Sequence, residues 1–408
     1  MSILGGVGGV GGVGGVGGVG GVGGVGGVGG VGGVGGVGGV GGVGGVGGVG
    51  YAGYNTPLVS DALITNRDGI VGVWAPPPHP ALTPAHLALE SVPNLERWEP
   101  WVRASIFDFE MFSRLGFSRQ GAGLNQMTVW HLEVTPTGFG TPPAAAYHPL
   151  ARLRRPSEAT FKAQLGFLDQ YADLRPDRAA EILAQVETPV AFLSSIAYVH
   201  PDRSRWTLEL LSAAFRLARF VEMRVKHALA CRRPIEFSPQ VQPMILTPSH
   251  GSLPSGHATE AFAMAIVLWN LLRTGANPAY GHVSYGTQLL RQAARIAINR
   301  TVAGVHFPAD SIAGALLGLT LGQYLVNRVS GISSYQASEF DGTAFDGVPD
   351  PSAEDFDWSD IYNVTVPAVT HSPAGKAYVT DLGQPAIAPA NQSGALTWLW
   401  NRAVAEWA

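Results

Sequence analysis

The chain has 408 residues, of which 14% are charged and 46% are hydrophobic, and its formal net charge is -4 at pH 7. With so few charged residues and a slight excess of acidic ones, the chain lacks the basic surface that nucleic-acid binding needs. Nucleic acid is therefore not an expected partner. The single cysteine, Cys231, excludes an internal disulfide and leaves the redox compartment open.

The N-terminal segment, residues 1–50, is a low-complexity repeat. Residues 5–49 are fifteen uninterrupted Gly-Gly-Val triplets. Because two glycines in every three positions make a poor helix, we interpret the segment as a flexible, disordered tail that is either a spacer or a repeat expansion without a role. The first residues, MSILGG, lack the basic region and cleavage site of a secretory signal, which makes the cytoplasm the default expectation.

Residues 51–155 have few long periodic runs. Turn clusters such as APPPHPALTP and VTPTGFGTPPAAAYHP separate short apolar stretches. The pattern predicts an irregular, loop-rich N-terminal part with short helices, packed on the rest of the protein.

Residues 156–330 are the predicted helical core. Apolar side chains recur there at three- and four-residue spacing, which is typical of helices with one buried face. Pro189 predicts a kink in an early helix, and Ser204 is a candidate N-cap for a long helix that must end before Pro234. The later helices are predicted over residues 257–272 and 288–300, and from residue 308 onward.

The last of these helices is apolar enough to raise the question of a membrane span. Asp310 near its start, Gln323 in its interior and frequent glycines favour a buried core helix instead. A membrane is therefore not an expected partner.

Residues 331–408 begin as an acidic loop and end as a docking segment. The stretch SEFDGTAFDGVPDPSAEDFDWSD holds eight carboxylates, and because their spacing matches no calcium loop, a solvated segment is preferred over a calcium site. The terminal ALTWLWNRAVAEWA predicts an amphipathic helix that docks its tryptophans on the body, with interfacial membrane binding as the alternative. All predicted elements are helices, so the predicted fold class is all-α, a helical bundle with irregular N-terminal and C-terminal wraps.

Three clusters of polar residues lie within the predicted core. The first is Lys226 with Arg233 and Pro234. Seven residues at about 100° each bring Arg233 back to within about 20° of the face that holds Lys226. Both cations are therefore expected to point the same way.

The second cluster is Pro254, Ser255, Gly256 and His257. A Ser-Gly turn ahead of a helix offers free backbone N–H groups, a hydroxyl and the positive end of the helix dipole. Together these groups make an anion site.

The third cluster is Arg300 with His306 and Asp310. Six residues place Arg300 and His306 about 240° apart on a continuous helix, so the two converge only if the helix breaks between them. Gly304 and Pro308 predict that break. Asp310, in the first turn of the next helix, is placed to accept a hydrogen bond from the His306 imidazole.

The combined side chains of the three clusters suit an oxyanion with several equivalent oxygens. Phosphate fits them, and so does vanadate, which expands readily to five-coordination with an imidazole nitrogen as axial ligand. Taken singly, each cation is better explained as a side chain that extends to solvent from a helix end, and His306 as a hydrogen-bonded core histidine. Their joint occurrence, in order, favours a binding site.

In this order and spacing, the clusters resemble the three-part signature of the type 2 phosphatidic acid phosphatase and vanadium-dependent haloperoxidase superfamily. The resemblance covers about residues 200–330, and Asn299 stands where the signature usually has serine. It implies an α-helical bundle of the acid phosphatase/vanadium haloperoxidase type with the site at its centre. The matching residues are Lys226-x6-Arg233-Pro234, Pro254-Ser255-Gly256-His257 and Arg300-x5-His306-x3-Asp310.

The resemblance also implies a role for each residue. His257 would be the acid–base residue. His306 would be the nucleophile of a phosphatase or the vanadium ligand of a haloperoxidase, and Asp310 would orient it. The residues expected to bind the oxygens of phosphate, or of the cofactor vanadate, are Lys226, Arg233, Ser255, Gly256 and Arg300.

Three features favour the haloperoxidase branch. His250 lies seven positions before His257, where bromide- and iodide-oxidising members carry histidine, so we expect it to tune peroxide or halide access; a surface-loop histidine is the alternative. About 175 residues of ordinary sequence precede the first cluster, more than in the small soluble acid phosphatases of the superfamily. The chain also lacks the repeated apolar spans of the membrane-bound lipid phosphatases.

The sequence therefore predicts a vanadate-dependent haloperoxidase that oxidises bromide or iodide with hydrogen peroxide. The first alternative is a soluble acid phosphatase that hydrolyses phosphomonoesters through a phosphohistidine on His306. The second is a non-enzymatic binding protein that retains the motif. The preferred halide or ester, the organic acceptor and the formation of a homo-oligomer are left open.

Overall fold

The computed structural model describes residues 57–74, 86–121, 123, 125–135, 141–186, 189–345, 355–371 and 377–408. The repeat of residues 5–49 and much of the acidic stretch after residue 345 lie outside these ranges, and so do the predictions made for them. The chain divides into two compact units, Met1–Ala88 and Leu89–Ala408. In the first unit the structure describes one helix, α1 (Pro57–Val71), which has no buried residue.

Helices dominate the second unit. Short 3-10 turns at Val92–Arg97, Pro239–Val241, Trp358–Asp360 and Pro389–Asn391 connect several elements. The helices are α2 (Pro100–Phe112), α3 (Glu158–Ala172), α4 (Arg175–Ala184), α5 (Val190–Ala197), α6 (Arg205–Leu229), α7 (Pro234–Phe237), α8 (Gly256–Thr274), α9 (Val283–Val302), α10 (Pro308–Ser330) and α11 (Gly394–Ala405).

Helix α8 is the centre of the bundle and packs against α6, α9 and α10. Nearly all of its side chains are buried, as expected of a helix that is hydrophobic all round. Helix α10 approaches it closely because glycines face it: a Cβ on Gly318 would overlap the Thr259 carbonyl oxygen. This packing fixes the N-terminal turn of α8 against that of α10.

Helix α10 is, within the described part of the chain, the one helix long and apolar enough to cross a membrane. Its most apolar window is 94% buried inside the protein. The prediction of a buried core helix at this position is confirmed.

The all-α prediction is wrong in one respect, because the second unit also contains a five-stranded sheet. The order is β1-β2-β3-β4-β7, with β3 and β4 parallel and the other neighbours antiparallel. A separate two-stranded ribbon pairs β5 with β6. The strands are β1 (Leu115–Gln120), β2 (Gln126–Thr135), β3 (Ala144–Arg154), β4 (Ala337–Asp341), β5 (Tyr362–Asn363), β6 (Ala368–Val369) and β7 (Val379–Gly383).

The sheet joins the two segments that the sequence predicts as irregular wraps. Strands β1–β3 lie in the segment 51–155, and β4 and β7 lie in the segment 331–408. The register of the parallel pair sets Leu153 opposite Phe340, across almost 190 residues of chain. Strands β1–β3 pair with their neighbours in sequence, but the turn-rich composition of the segment 51–155 conceals them, and the pairing of β3 with β4 leaves no local signal.

The predicted core helices are present, with shifted ends. The predicted helix at 257–272 is Gly256–Thr274, and that at 288–300 is Val283–Val302. The predicted kink at Pro189 is a full break between α4 and α5. The final tryptophan-rich helix is also present, with Trp400 and Trp407 buried.

Candidate active site

The turn that begins α8 is built as an anion site. Ser255 is the N-cap, and its Oγ accepts a hydrogen bond from the Ala258 amide at 3.4 Å. The Ser255 amide donates to the Asp310 carbonyl oxygen at 2.8 Å, which ties the turn to α10. The amides of Gly256 and His257 belong to the first helical turn, where N–H groups have no acceptor within the helix. They are available to an oxyanion, at the positive end of the dipole.

Position 256 has room only for glycine, because a buried carboxylate lies directly against it. A Cβ at this position would lie 2.6 Å from Glu222 Oε1, so any other residue would displace the acid. Burial raises the pKa of Glu222, and the nearby Lys226 opposes the shift. Burial also raises the pKa of Glu260, one turn further along α8, and the neighbouring Glu222 adds to it. Neither acid was predicted to belong to the site.

Lys226 lies in the last turn of α6 and is buried. Its Nζ donates hydrogen bonds to the carbonyl oxygens of Gly251 at 3.3 Å and Ser252 at 3.0 Å, and also to that of Pro254. Burial lowers its pKa, and Glu222 opposes the shift. Without an anion, this cation therefore holds the loop that leads into α8.

Arg233 does not share a helical face with Lys226, so that geometric expectation is wrong. Helix α6 ends at Leu229, and Ala230 takes a left-handed conformation with φ 49°. Arg233 instead stands in extended backbone as the N-cap of α7. The two cations still reach the same loop, because the chain reverses direction between them.

The Arg233 guanidinium contacts both histidine-bearing segments. Its Nε donates to the His250 carbonyl oxygen at 2.9 Å, and Nη1 donates to the Val305 carbonyl oxygen at 2.8 Å. Nη1 also lies 3.0 Å from His306 Nε2. Arg233 thus joins the loop before the second cluster, at His250, to the third cluster, at His306.

His250 lies at the edge of the site, as the sequence predicts. Its Nδ1 is 3.0 Å from Arg233 Nη2, and burial lowers its pKa to about 4. The ring is therefore neutral near pH 7. It borders a cavity of about 310 Å³ that also reaches Lys226, and whose lining residues are Met223, Lys226, His227, Ala230, His250 and Gly251.

His306 and Asp310 make the contact that their spacing predicts. His306 Nδ1 lies 3.0 Å from Asp310 Oδ2, which also accepts from the Phe307 amide at 2.9 Å. Because a carboxylate accepts, Nδ1 carries the proton and Nε2 presents its lone pair towards Arg233. Burial raises the pKa of Asp310 to about 6, and burial together with nearby cations holds the pKa of His306 well below its ordinary value.

The break between Arg300 and His306 is also present. Helix α9 ends at Val302, Gly304 has φ +81°, and Pro308 begins α10. A Cβ on Gly304 would lie 2.9 Å from Arg175 Nη2, so this turn needs glycine for its conformation and for space.

Arg300 has two side-chain nitrogens without a partner among the described residues. Its Nη2 donates to the Ile182 carbonyl oxygen and to Gln185 Oε1, both at 3.2 Å, while Nε and Nη1 are buried and unpaired. Burial lowers the pKa of Arg300 to about 10. Burial and then the Arg300 charge hold the pKa of His257 well below its ordinary value. The guanidinium is therefore close to the turn that begins α8.

The three clusters thus converge on one buried place. Residues 170–332, which contain all of them, match the family model described as PAP2 superfamily. This segment is a PAP2 superfamily domain. The PAP2 domain spans the helices from the end of α3 to α10, and the five-stranded sheet lies outside it.

Among the solved structures that are similar to part of the chain is a transmembrane PAP2 type phosphatidylglycerolphosphate phosphatase from Bacillus subtilis. The identity is 22%, the match covers 43% of this chain and 84% of that one, and the TM-score is 0.28. At this TM-score nothing about the activity of the present chain follows. No curated protein matches the chain significantly in sequence.

Three residues that contact and support the site residues were not predicted from the sequence. Glu222 supports Gly256, and Gln185 binds Arg300. Arg175 clamps the end of α9, donating to the Val302 carbonyl oxygen at 2.9 Å. Gln185 and Arg175 act through tertiary packing, which no spacing in the sequence reveals. Glu222 lies four residues before Lys226 on α6, and this spacing could have identified it.

Proposed function

We propose that the PAP2 domain is a phosphatase that hydrolyses phosphomonoesters through a phosphohistidine on His306. The observation that supports this most is the buried Arg300 guanidinium, whose Nε and Nη1 have no partner among the described residues. Leaving charged donors buried and unpaired is costly, and a tetrahedral dianion at the start of α8 removes that cost. Family membership favours phosphate as that dianion.

His306 is suited to attack phosphorus. Asp310 holds the proton on Nδ1, so the Nε2 lone pair is available, and the lowered pKa keeps the ring neutral. Arg233 Nη1 now donates towards that nitrogen. Substrate oxygens would take over this donor, so that the N–P bond forms as the P–O bond to the leaving alcohol breaks.

His257 is assigned to proton transfer. Its pKa is held down by burial and by Arg300. A bound phosphate dianion acts in the opposite direction and favours the imidazolium, which can protonate the leaving alkoxide. The neutral ring that remains can then activate water against the phosphohistidine, which releases phosphate.

The cavity beside Lys226 and His250 gives the leaving group a place. At about 310 Å³ it accommodates a compact aryl or alkyl group. Its walls include the Met223 and Ala230 side chains. We therefore expect small aryl phosphates to be better substrates than large esters.

The test is phosphate release from an aryl phosphate, combined with rapid acid-free quenching to trap a base-stable phosphohistidine. His306→Ala should lower kcat by roughly three orders of magnitude and abolish the trapped species. His200→Ala, a change at an exposed histidine, serves as the control and should act like the unchanged protein. Full turnover by His306→Ala would exclude the mechanism.

A vanadate-dependent haloperoxidase is the second candidate, favoured by the position of His250 against Arg233. The donor set fits vanadate as well as phosphate: Lys226, Arg233 and Arg300 would hold its oxygens, and His306 Nε2 its metal. Bound vanadate would supply the activation of hydrogen peroxide for halide oxidation.

The two candidates are separated by assaying peroxide-dependent bromide and iodide oxidation after incubation with vanadate. Halide oxidation that is lost in His306→Ala and altered in His250→Ala would favour the haloperoxidase. Phosphate release without halide oxidation favours the phosphatase. Failure in both assays would support the non-enzymatic alternative, a binding protein that retains the motif.

A further inference from the structure

Two buried amide side chains lie directly behind Arg300. Asn299 Nδ2 donates to Gln185 Oε1 at 2.9 Å, and Asn299 Oδ1 accepts from Arg178 Nη1 at 2.7 Å. Gln185 Nε2 in turn donates to Glu181 Oε1 at 3.0 Å. Both amides are buried, with every polar atom of the Asn299 side chain in use.

Gln185 contacts two of the residues assigned to chemistry. Its Oε1 accepts from Arg300 Nη2 at 3.2 Å. Its backbone carbonyl is hydrogen-bonded to His257, an interaction that counteracts the depression of the His257 pKa. The remaining charged groups that act on His257 are Arg300 and Lys226, both of which lower its pKa after burial itself.

We propose that the Asn299–Gln185 pair is the positioning device of this active site: it orients the Arg300 guanidinium towards the bound oxyanion. The inference rests on the proposed phosphatase function.

The geometry of the pair explains why two amides are used. A guanidinium has five N–H groups, and anchoring Nη2 from behind fixes the plane of the group and leaves the N–H groups of Nε and Nη1 available to the anion. Gln185 can do this only while its own Oε1 is fixed, and Asn299 Nδ2 fixes it. Serine, which usually stands at this position in the signature, is too short to bind Arg178 and Gln185 at once. Asn299 is therefore the feature of this chain that makes the pair.

The experiment uses the full chain and two readouts: kinetics with an aryl phosphate, and the Kd for tungstate, a tetrahedral oxyanion that requires no chemistry. Gln185→Ala should weaken tungstate binding about tenfold, because a hydrogen bond to a charged group is lost. It should leave the basic limb of the kcat profile unshifted, since His257 is hydrogen-bonded to the backbone carbonyl of residue 185, which alanine keeps.

Asn299→Ser, a smaller change, should weaken tungstate binding about threefold, and the double variant should be no worse than Gln185→Ala because the two residues act as a unit. Gln323→Ala removes a half-buried glutamine from an amide network at the far end of α10 and is the matched control. It should leave the tungstate Kd and the pH profile unchanged, although it destabilises the fold.

Three outcomes distinguish the inference from the function on which it rests. Unchanged tungstate affinity in both Gln185→Ala and Asn299→Ser would overturn the proposed positioning role of the pair. Tungstate binding that depends on the pair, without phosphate release by the unchanged protein, would support the positioning of Arg300 and overturn the phosphatase. An unchanged protein that binds no tungstate would overturn both.

Discussion

At the scale of single residues, the site is a concentration of buried ionisable groups. Lys226, Arg233, Arg300 and Asp310 are each at most 3% exposed. Burial opposes the charged form of every one of them. Asp310 also has one oxygen, Oδ1, without a partner among the described residues. Burying these groups therefore lowers the free energy of unfolding, and their function in the site explains why the protein retains them.

Asp310 makes this cost measurable. Its pKa is raised from 3.8 to about 6. As the pH rises, the unfolded state therefore releases this proton before the folded state does. The free energy of unfolding consequently falls between about pH 4 and about pH 6. Asp310→Asn removes this titration. We expect the variant to be about 1–3 kcal/mol more stable than the unchanged protein at pH 7.5, with the difference vanishing near pH 4, as measured by urea unfolding.

The same substitution should lower activity, because asparagine holds the His306 Nδ1 proton less strongly than a carboxylate does. The kcat/KM profile of the unchanged protein should fall below pH about 6, as Asp310 takes up its proton, and this limb should be absent from Asp310→Asn. An Asp310→Asn variant that is less stable at pH 7.5 would show that burial does not raise this pKa.

Most residues placed at the site could be named from the sequence, because the anion-binding chemistry is encoded in short motifs. The contact between His306 and Asp310 follows from their spacing, and the break between Arg300 and His306 follows from Gly304 and Pro308. The roles assigned to these residues remain predictions. The supporting residues, such as Gln185, act through tertiary packing and leave no such trace.

At the scale of secondary-structure elements, the site depends on how closely α10 packs on α8. The helices approach through glycines of α10: a Cβ on Gly314 would lie 2.6 Å from the Ser255 carbonyl oxygen. Two turns further on, a Cβ on Gly322 would lie 2.8 Å from the Ala263 carbonyl oxygen. One glycine borders the anion-binding turn, and the other does not.

This difference gives a matched pair of variants. Gly314→Ala and Gly322→Ala both overpack the same interface, and each should cost about 1–3 kcal/mol of stability. Gly314→Ala should also reduce kcat/KM at least about tenfold, because it displaces Ser255 and with it the amides that face the anion. Equal losses of activity in the two variants, measured at matched temperature below both melting points, would exclude the close packing at Gly314 as a determinant of the site.

The helices were predictable because each carries a periodic apolar face, whereas the sheet was not. Strand β3 contains Pro149 and three successive alanines, residues that are depleted in strands, and its partner β4 comes from the far end of the chain. It lies between β2, its neighbour in sequence, and β4, and its own composition indicates neither pairing.

At the scale of the whole molecule, a side chain from the C-terminal segment caps a helix that begins about 200 residues earlier in the chain. Ser204 is the N-cap of α6 by position, but its side chain makes no capping hydrogen bond to the helix. Glu406 supplies the cap instead: its two carboxylate oxygens accept from the amides of Trp206 at 2.9 Å and Thr207 at 2.8 Å. Trp407 Nε1 donates to Thr207 Oγ1 at 2.9 Å beside it.

Removing this cap should affect stability without affecting catalysis. Glu406→Ala leaves two buried amides unpaired and removes a negative charge from the positive end of α6, so we expect a loss of about 1–2 kcal/mol and a lower Tm. Glu406→Gln keeps one acceptor and should lie between. Since Lys226 stands at the opposite end of α6, kcat and KM for an aryl phosphate should stay at their original values at 25 °C. A Tm unchanged in Glu406→Ala would mean that water caps α6 equally well, and that the C-terminal helix is held by its buried tryptophans alone.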